Sequence, residues 1–134
     1  KALSVSADPD DFIIGADQTL DLCGELMDKP RDLPRARAQL KRLRGRSHVL
    51  HAAAVLARDG QVVSRHLSSP VMGVRAFSDL FLEAYLERTG EAVLTSCGCY
   101  ALEGMGAQLF DSFELFIEMF AIPADRLTVH LRVF

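Results

Sequence analysis

Short apolar runs separated by polar clusters predict strands in the first part of the chain. The run from Phe12 to Ala16 follows a polar cluster and is typical of a strand buried on both faces, which we expect to end at Asp17. Thr19 to Leu22 alternates polar and apolar residues, and Cys23-Gly24-Glu25 predicts a turn after it. A second short strand or hairpin therefore follows the first strand.

Two segments carry apolar residues at helical spacing. In the first, Asp32 is the expected N-cap, Pro34 lies in the first turn and Gly45 ends the helix. The second begins after Ser78 and ends at Thr89-Gly90. The predicted apolar stripes are Leu33, Ala36, Leu40 and Leu43 in the first helix and Leu80, Phe81, Ala84, Tyr85 and Leu86 in the second.

The middle of the chain predicts antiparallel sheet. Arg46 to Ala57 has the composition of a strand, Arg58-Asp59-Gly60-Gln61 predicts a hairpin turn, and Val62 to Val74 predicts a partner strand interrupted near Pro70. A further strand is expected from Ala107 to Phe110. Strands mixed with helices, without internal repeats, indicate an α/β or α+β domain.

Length, composition and charge narrow the class of protein. The chain has 134 residues, of which 49% are hydrophobic and 25% charged, which predicts one domain over residues 1–134 with its own core. A formal net charge of -3 gives no basic field for nucleic acid, and the apolar runs are far shorter than the roughly 20 residues of a membrane span. Three cysteines without a signal peptide favour free thiols in the cytoplasm.

Two residues stand out as candidates for chemistry. Asp17, after a buried strand, is placed to bind a divalent cation or to orient a water molecule, and the alternative is a turn aspartate that caps the next segment. Lys29 precedes Pro30, which favours an extended backbone and presents the ammonium group for a phosphate; a surface lysine at a turn is the alternative.

Other polar groups give weaker signals. The basic face of the first helix is interpreted as solvated rather than as a phosphate site, and Cys97 with Cys99 lacks the second half of a zinc site. His48 and His51 are expected on opposite faces of a strand. Gly104-Met105-Gly106 lies in a glycine-rich loop of the kind that approaches ligands, yet it matches neither a dinucleotide-binding motif nor a P-loop. Glu103 is a carboxylate for a base or a metal, or a loop acid in solvent.

An ordered set of motifs resembles the Maf family, also called septum formation inhibitors, from Lys1 to about Phe113. The motifs are Ile14-Gly15-Ala16-Asp17-Gln18-Thr19, Asp28-Lys29-Pro30, Leu40 through Leu43 to Gly45-Arg46-Ser47-His48, Phe77-Ser78-Asp79, and Gly98-Cys99-Tyr100-Ala101-Leu102-Glu103-Gly104-Met105-Gly106-Ala107-Gln108-Leu109-Phe110. The resemblance implies an α/β fold with a mixed twisted sheet flanked by helices. It also implies a nucleoside triphosphate pyrophosphatase that releases NMP and pyrophosphate with a divalent metal, Mg²⁺ or Mn²⁺, and clears non-standard nucleotides.

The resemblance also implies roles for five residues. Asp17 corresponds to the family's proton acceptor and is the expected metal ligand. Lys29 and Lys1 correspond to lysines that bind the substrate phosphates, whereas Gln18 and Glu103 lie at positions that help to set nucleobase preference. Glu103 stands where pyrimidine-preferring members usually carry glutamine, so the base is left open.

Two departures from the family pattern qualify this hypothesis. The family's N-terminal S-x-S-x-x-R segment is absent, and residues 114–134 lack the usual G-L-P sequence. We therefore expect a fragment, the product of a disrupted reading frame or a diverged member. It lacks the N-terminal segment, has weak activity or none, and forms a homodimer that covers exposed core faces. The alternative function is a non-catalytic nucleotide-binding protein or a regulator of cell division.

Overall fold

The computed structural model describes Leu3 and residues 11–113. The described residues divide into two compact units: Leu3 with residues 11–18 and 51–69 belongs to the first, and residues 19–50 with 70–113 belong to the second. The strands and helices are β1 (Phe12–Leu22), β2 (Glu25–Met27), α1 (Leu33–Leu43), β3 (Ser47–Arg58), β4 (Gln61–Ser68), β5 (Val71–Val74), α2 (Asp79–Thr89) and β6 (Phe110–Phe113). Short 3₁₀ helices occupy Gly90–Thr95, Cys97–Cys99 and Met105–Leu109.

Among these described residues, six strands form one sheet. The strand order is β2-β1-β3-β5-β6, and β4 also pairs with β3. β2 is antiparallel to β1, both β4 and β5 are antiparallel to β3, and β6 is antiparallel to β5. Strands and helices in one chain confirm the predicted α/β class. Within the described part of the chain, no helix is long and apolar enough to cross a bilayer.

The prediction that the first strand ends at Asp17 is wrong. β1 continues through Asp17 and Gln18 to Leu22, and its last residues pair with β2. A polar pair does not break a strand whose side chains there face solvent, because the backbone keeps its ladder. The expected burial on both faces is also wrong, since Ile13 is the only buried residue between Phe12 and Ala16.

The predicted hairpin in the middle of the chain is confirmed. β3 and β4 are joined by Asp59 and Gly60, both with positive φ, and the register begins with Arg58 opposite Gln61. The strand breaks before Pro70, and β5 then pairs with the beginning of β3. Local turn chemistry was therefore sufficient to predict this hairpin.

Helix α1 matches its prediction at both ends. The Asp32 carboxylate accepts a hydrogen bond from the backbone N–H of Arg35 at 2.8 Å, and Gly45 has a φ of 69°. Its buried residues are Ala36, Leu40 and Leu43, whereas Leu33 lies at the surface. An aspartate N-cap with proline in the first turn begins the helix, and one apolar stripe docks it.

The basic face of α1 is neutralised by neighbouring acids. Arg37 binds Glu83 with two hydrogen bonds of 2.8 and 2.6 Å, and Arg42 binds Glu25 in the same way at 3.1 and 2.6 Å. The hydrogen bond from Arg42, together with its charge, lowers the pKa of Glu25. These exposed pairs add little stability, and they engage the charges that a phosphate would require.

Helix α2 begins after Ser78, whose hydroxyl accepts from the N–H of Phe81 at 3.2 Å. Its buried face differs by a small rotation from the predicted stripe. Leu82, Tyr85 and Leu86 are buried, whereas Leu80 is 82% exposed. The prediction was wrong for Leu80 and for Ala84, which is also exposed, because α2 is apolar on more than one face and the spacing alone does not decide which face packs.

The second unit contains the larger core. Its buried residues come from both helices, five strands, the 3₁₀ segments and the connecting loops: Leu20, Leu22, Met27, Ala36, Leu40, Leu43, Leu50, Met72, Val74, Phe77, Leu82, Tyr85, Leu86, Val93, Cys99, Tyr100, Leu109 and Phe110. In the first unit, Ile13 and Ala57 form a small cluster with Val55.

The predicted strand from Ala107 to Phe110 is mostly a 3₁₀ helix. Met105–Leu109 is helical, and β6 begins only at Phe110. The N–H of Arg75 donates to the carbonyl of Leu109 at 2.9 Å, so the segment is attached at its end rather than paired along its length.

A buried histidine lies at the base of β3. His48 is 2% exposed, and its Nε2 shares a hydrogen bond of 2.8 Å with the hydroxyl of Tyr100. Within the described structure, its Nδ1 is buried without a hydrogen-bond partner. Burial lowers the pKa of His48 from 6.5 to about 4, so the ring is neutral at pH 7. His51, the other histidine of β3, shares a separate hydrogen bond of 2.9 Å with the hydroxyl of Ser69.

We expect His48 to make stability pH-dependent. Between pH 6.5 and 4 the unfolded chain binds a proton at this residue that the folded chain rejects. Its stabilising contribution is complete above pH 6.5 and is lost as the pH falls, by about 3 kcal/mol in all. Urea unfolding at several pH values should show a flatter profile for His48→Gln, which retains a hydrogen-bonding group for Tyr100. Equal slopes in the two proteins would contradict this assignment.

Candidate active site

A cavity in the first unit contains the most informative carboxylate of the chain. Its volume is about 340 Å³. The residues that line it are Leu3, Gly15, Ala16, Asp17, Ala53, Val55, Val62 and Arg65. Asp17 and Arg65 are the ionisable residues of this lining, and the other side chains are apolar or absent. Such a cavity, with few polar groups in apolar surroundings, is typical of a small-molecule site.

Asp17 projects from the middle of β1. Its side chain is exposed, and Oδ1 accepts a hydrogen bond of 3.1 Å from the backbone N–H of Gln18. Because a strand within a sheet holds its backbone rigidly, the point from which this side chain projects is fixed. The sequence prediction located the residue but assigned it to the end of a strand, and the structure corrects that assignment. The Gln18 side chain is also exposed.

Sequence reasoning missed Arg65. Leu56 lies opposite Ser64 and Ala57 lies opposite Val62, so Val63 is an extra residue that bulges from β4. The bulge shifts the alternation by one residue.

Arg65 therefore lies opposite Val55, on the same side of the hairpin as Val62. A regular register would place Ser64 opposite Val55. The sequence alone contained no marker of this shift, because Val63 has the composition of an ordinary strand residue.

The segment that carries Lys29 belongs to the second unit. Lys29 is exposed in the irregular stretch after β2, whereas its neighbour Pro30 is buried. The side-chain amide of Gln39, on α1, donates to the carbonyl of Asp28 at 2.8 Å. The lysine is thus flanked by two anchored residues while its ammonium group stays in solvent.

Glu103 lies in a turn of the same unit, after a loop with many anchors. The hydroxyl of Tyr85 donates to the carbonyl of Cys99 at 2.8 Å, and the hydroxyl of Ser96 donates to the carbonyl of Tyr100 at 2.7 Å. Tyr100 packs edge-on against Phe110, with 4.8 Å between ring centroids. Glu103 itself is exposed. The anchors fix the base of the loop and leave the carboxylate accessible.

Gly106 closes this loop. A Cβ atom at Gly106 would lie 2.5 Å from the carbonyl oxygen of Ala101 and 2.7 Å from its nitrogen. Both atoms belong to the backbone, so no side-chain rotation relieves the overlap. Only glycine allows the two parts of the loop to approach so closely.

The structure assigns the predicted site residues to different parts of the chain. Asp17 and Gln18 belong to the first unit, Lys29 and Glu103 belong to the second, and Lys1 lies outside the described residues. Cys23, Cys97 and Cys99 are free thiols. Burial raises the pKa of Cys99 to about 12, so this thiol stays protonated.

Comparison with protein families identifies one match. The model of the family described as Maf-like protein matches residues 1–116, which is most of the chain. The match covers Asp17, Gln18, Lys29, Glu103 and Lys1 alike.

Curated relatives point in the same direction. A nucleoside triphosphate pyrophosphatase of Caulobacter vibrioides is 54% identical over 114 residues, which are 85% of this chain and 57% of that protein. One of Maricaulis maris is 46% identical over 127 residues, 94% of this chain and 65% of that protein. A 7-methyl-GTP pyrophosphatase of Rhizobium meliloti is 47% identical over 105 residues, 78% and 53% of the two chains. The chain thus spans between about half and two thirds of the length of these relatives.

We expect Gly106→Ala to destabilise the protein and displace the loop of Glu103. Overlap with backbone atoms requires movement of the chain, and overpacking of this kind costs about 1–3 kcal/mol. Chemical denaturation of Gly106→Ala and of the control Gly104→Ala measures the effect. At Gly104 a Cβ atom would lie 3.8 Å from the nearest backbone atom. Equal stability of the two variants would contradict the proposed close approach.

Proposed function

Because this chain belongs to the Maf family, we propose that it carries out the reaction of a nucleoside triphosphate pyrophosphatase, which hydrolyses NTPs to NMP and pyrophosphate. The biological role that fits this reaction is the removal of non-standard nucleotides. The observation that carries the proposal is the exposed Asp17 carboxylate in a cavity that also contains Arg65. The names of the relatives support the same reaction class.

In the proposed mechanism, Asp17 acts as general base. Its carboxylate accepts a proton from a water molecule, and the water oxygen forms a bond to the α-phosphorus. The anhydride bond between the α- and β-phosphates breaks, and its bridging oxygen leaves with pyrophosphate. The rigid position of Asp17 on β1 supports this role, since a base must be held within hydrogen-bonding distance of the attacking water.

Positive side chains balance the charge of the polyphosphate. We assign Arg65 to this task for two reasons. It lines the same cavity as Asp17, and its side chain makes no hydrogen bond or ion pair with any of the described residues. Its guanidinium group offers paired donors for phosphate oxygens. Lys29 is proposed as a second phosphate ligand, from its exposed ammonium group and from the family resemblance. Lys1 retains this predicted role from the resemblance alone.

The donor set is compatible with a divalent cation. Among the described residues, no three His, Cys, Asp or Glu side chains gather into a cluster. Mg²⁺ uses one or two carboxylates together with substrate phosphates and water. Asp17 would hold such a Mg²⁺ or Mn²⁺ ion. The bound ion would neutralise negative charge on the phosphates.

Base preference is assigned to Gln18 and Glu103, both of which are exposed. A carboxylate at position 103 accepts hydrogen bonds, so it favours bases that present N–H groups. The cytoplasmic location and the homodimer stay predictions from the sequence.

Replacement of Asp17 by asparagine should abolish pyrophosphate release. The amide is similar in shape but accepts no proton, so we expect turnover to fall by about a hundredfold or more. Pyrophosphate release is measured with Mg²⁺ or Mn²⁺ on canonical NTPs and 7-methyl-GTP. The control is Asp59→Asn in the exposed hairpin turn, where the φ of 49° suits asparagine equally well.

Unchanged turnover in Asp17→Asn would remove this residue from the mechanism. Nucleotide binding without turnover in the unmodified chain would refute the pyrophosphatase and favour the non-catalytic nucleotide-binding alternative. Both results are read from the same nucleotide panel, with binding measured by calorimetry.

Arg65→Gln should weaken the use of every triphosphate. Loss of a charge-assisted hydrogen bond to phosphate reduces kcat/KM by about tenfold to a hundredfold. Arg65→Lys retains the charge without the paired donors, and we expect an intermediate value. Arg88→Gln, an exposed change of equal charge on α2, is the control. If Arg65→Gln and Arg88→Gln have the same kinetics, Arg65 does not contact the substrate.

A further inference from the structure

One side chain connects the two candidate segments of the second unit. Gln39 donates from Nε2 to the carbonyl of Asp28 at 2.8 Å, and its Oε1 accepts from the thiol of Cys99 at 3.2 Å. Asp28 immediately precedes Lys29, and Cys99 begins the tight loop that leads to Glu103. A single amide on α1 therefore attaches to the backbone of one segment and to the side chain of the other.

The chemistry of Cys99 suits this structural role. The thiol is fully buried, and burial raises its pKa to about 12, which excludes a thiolate at neutral pH. It is also 3.7 Å from the carbonyl of Ala36, one turn before Gln39. Since the carbonyl of Cys99 accepts from Tyr85, both its main chain and its side chain are held by helices. Cys99 thus serves as a hydrogen-bond donor rather than as a nucleophile.

The exposed ends of the two segments depend on these buried connections. Lys29 and Glu103 are exposed, whereas Pro30 and Cys99 are buried. Helix α1 is fixed by its capping aspartate and by Ala36, Leu40 and Leu43 in the core, so the amide of Gln39 projects from a rigid element. A hydrogen bond from a rigid helix to each segment limits how far either can move relative to the other.

We propose that Gln39 is a positioning residue that couples the Lys29 segment to the Glu103 loop and thereby sets nucleotide preference. This inference rests on the proposed function, in which Lys29 holds phosphate and Glu103 meets the base. A nucleotide that contacts both residues is discriminated by their relative placement, and Gln39 determines that placement through Asp28 and Cys99. Gln39 does not itself contact substrate in this scheme.

Matched variants separate the hydrogen bond from the packing. Cys99→Ser retains a donor, Cys99→Ala removes it, and Gln39→Leu removes both connections. Cys23→Ser and Cys23→Ala are controls, because Cys23 has a φ of 57° and Cys99 a φ of 64°, so the backbone cost of substitution is shared. Cys23 is exposed in the turn between β1 and β2.

The first measurement is amide hydrogen exchange of Asp28, Lys29 and Arg31, which needs no activity; Pro30 between them has no amide hydrogen. Loss of a hydrogen bond in Cys99→Ala or Gln39→Leu should accelerate exchange there by about threefold or more, and Cys99→Ser should restore the original rate. Unchanged exchange at Asp28, Lys29 and Arg31 in both Cys99→Ala and Gln39→Leu would overturn the coupling.

The second measurement is the ratio of kcat/KM between two nucleotides, for example GTP and 7-methyl-GTP. A merely structural defect lowers both values together, whereas altered positioning should change the ratio by about threefold or more, with rescue in Cys99→Ser. A constant ratio in all variants would overturn the role in preference. If the unmodified chain releases no pyrophosphate from any nucleotide, the proposed function fails, and so does the role of Gln39 in nucleotide preference. The hydrogen-exchange measurement still decides whether Gln39 couples the two segments.

Discussion

The hydrogen bond between His48 and Tyr100 connects the strands of the second unit to its irregular segment. The imidazole belongs to β3, the phenol begins the turn-rich stretch that leads to Glu103, and Phe110 of β6 packs against the phenol ring. Both partners are buried, and burial lowers the pKa of the imidazole and raises that of the phenol, so the bond joins two neutral groups. Neutral partners are easier to bury than an ion pair, and an aromatic core can therefore form around them.

Hydrogen bonds from side chains also hold residues 96 to 106, a stretch with few regular backbone hydrogen bonds. Residues 96 to 106 contain only short 3₁₀ turns, yet Ser96, Tyr85 and Gln39 each hydrogen bond to Cys99 or Tyr100 within it. Loops of this kind carry functional groups well, because the exposed tip is free to differ while the buried base stays fixed. The same division holds for Lys29, which lies in solvent beside the buried Pro30.

Sequence reasoning succeeded where the signal was local. An aspartate cap with a following proline defined α1, and Asp59-Gly60 defined the hairpin, because each feature is decided by a few neighbouring residues. It failed where tertiary contacts decide: the continuation of β1 past Asp17, the buried face of α2 and the 3₁₀ helix at Met105–Leu109. Among the site residues, Asp17 was found as a carboxylate after an apolar run, whereas Arg65 depends on a register shift between two strands that no local pattern reveals.

The bulge at Val63 also determines how the hairpin tolerates changes in chain length. If Val63 were deleted, Val62, Ser64 and Arg65 would pair regularly with Ala57, Leu56 and Val55, which are the partners they already have. Arg65 would stay opposite Val55. If Ser64 were deleted instead and Val63 kept, Arg65 would again lie opposite Val55, and Val63 would lie opposite Leu56. Evolution can therefore shorten β4 by one residue at this point without moving the guanidinium group to the other side of the sheet.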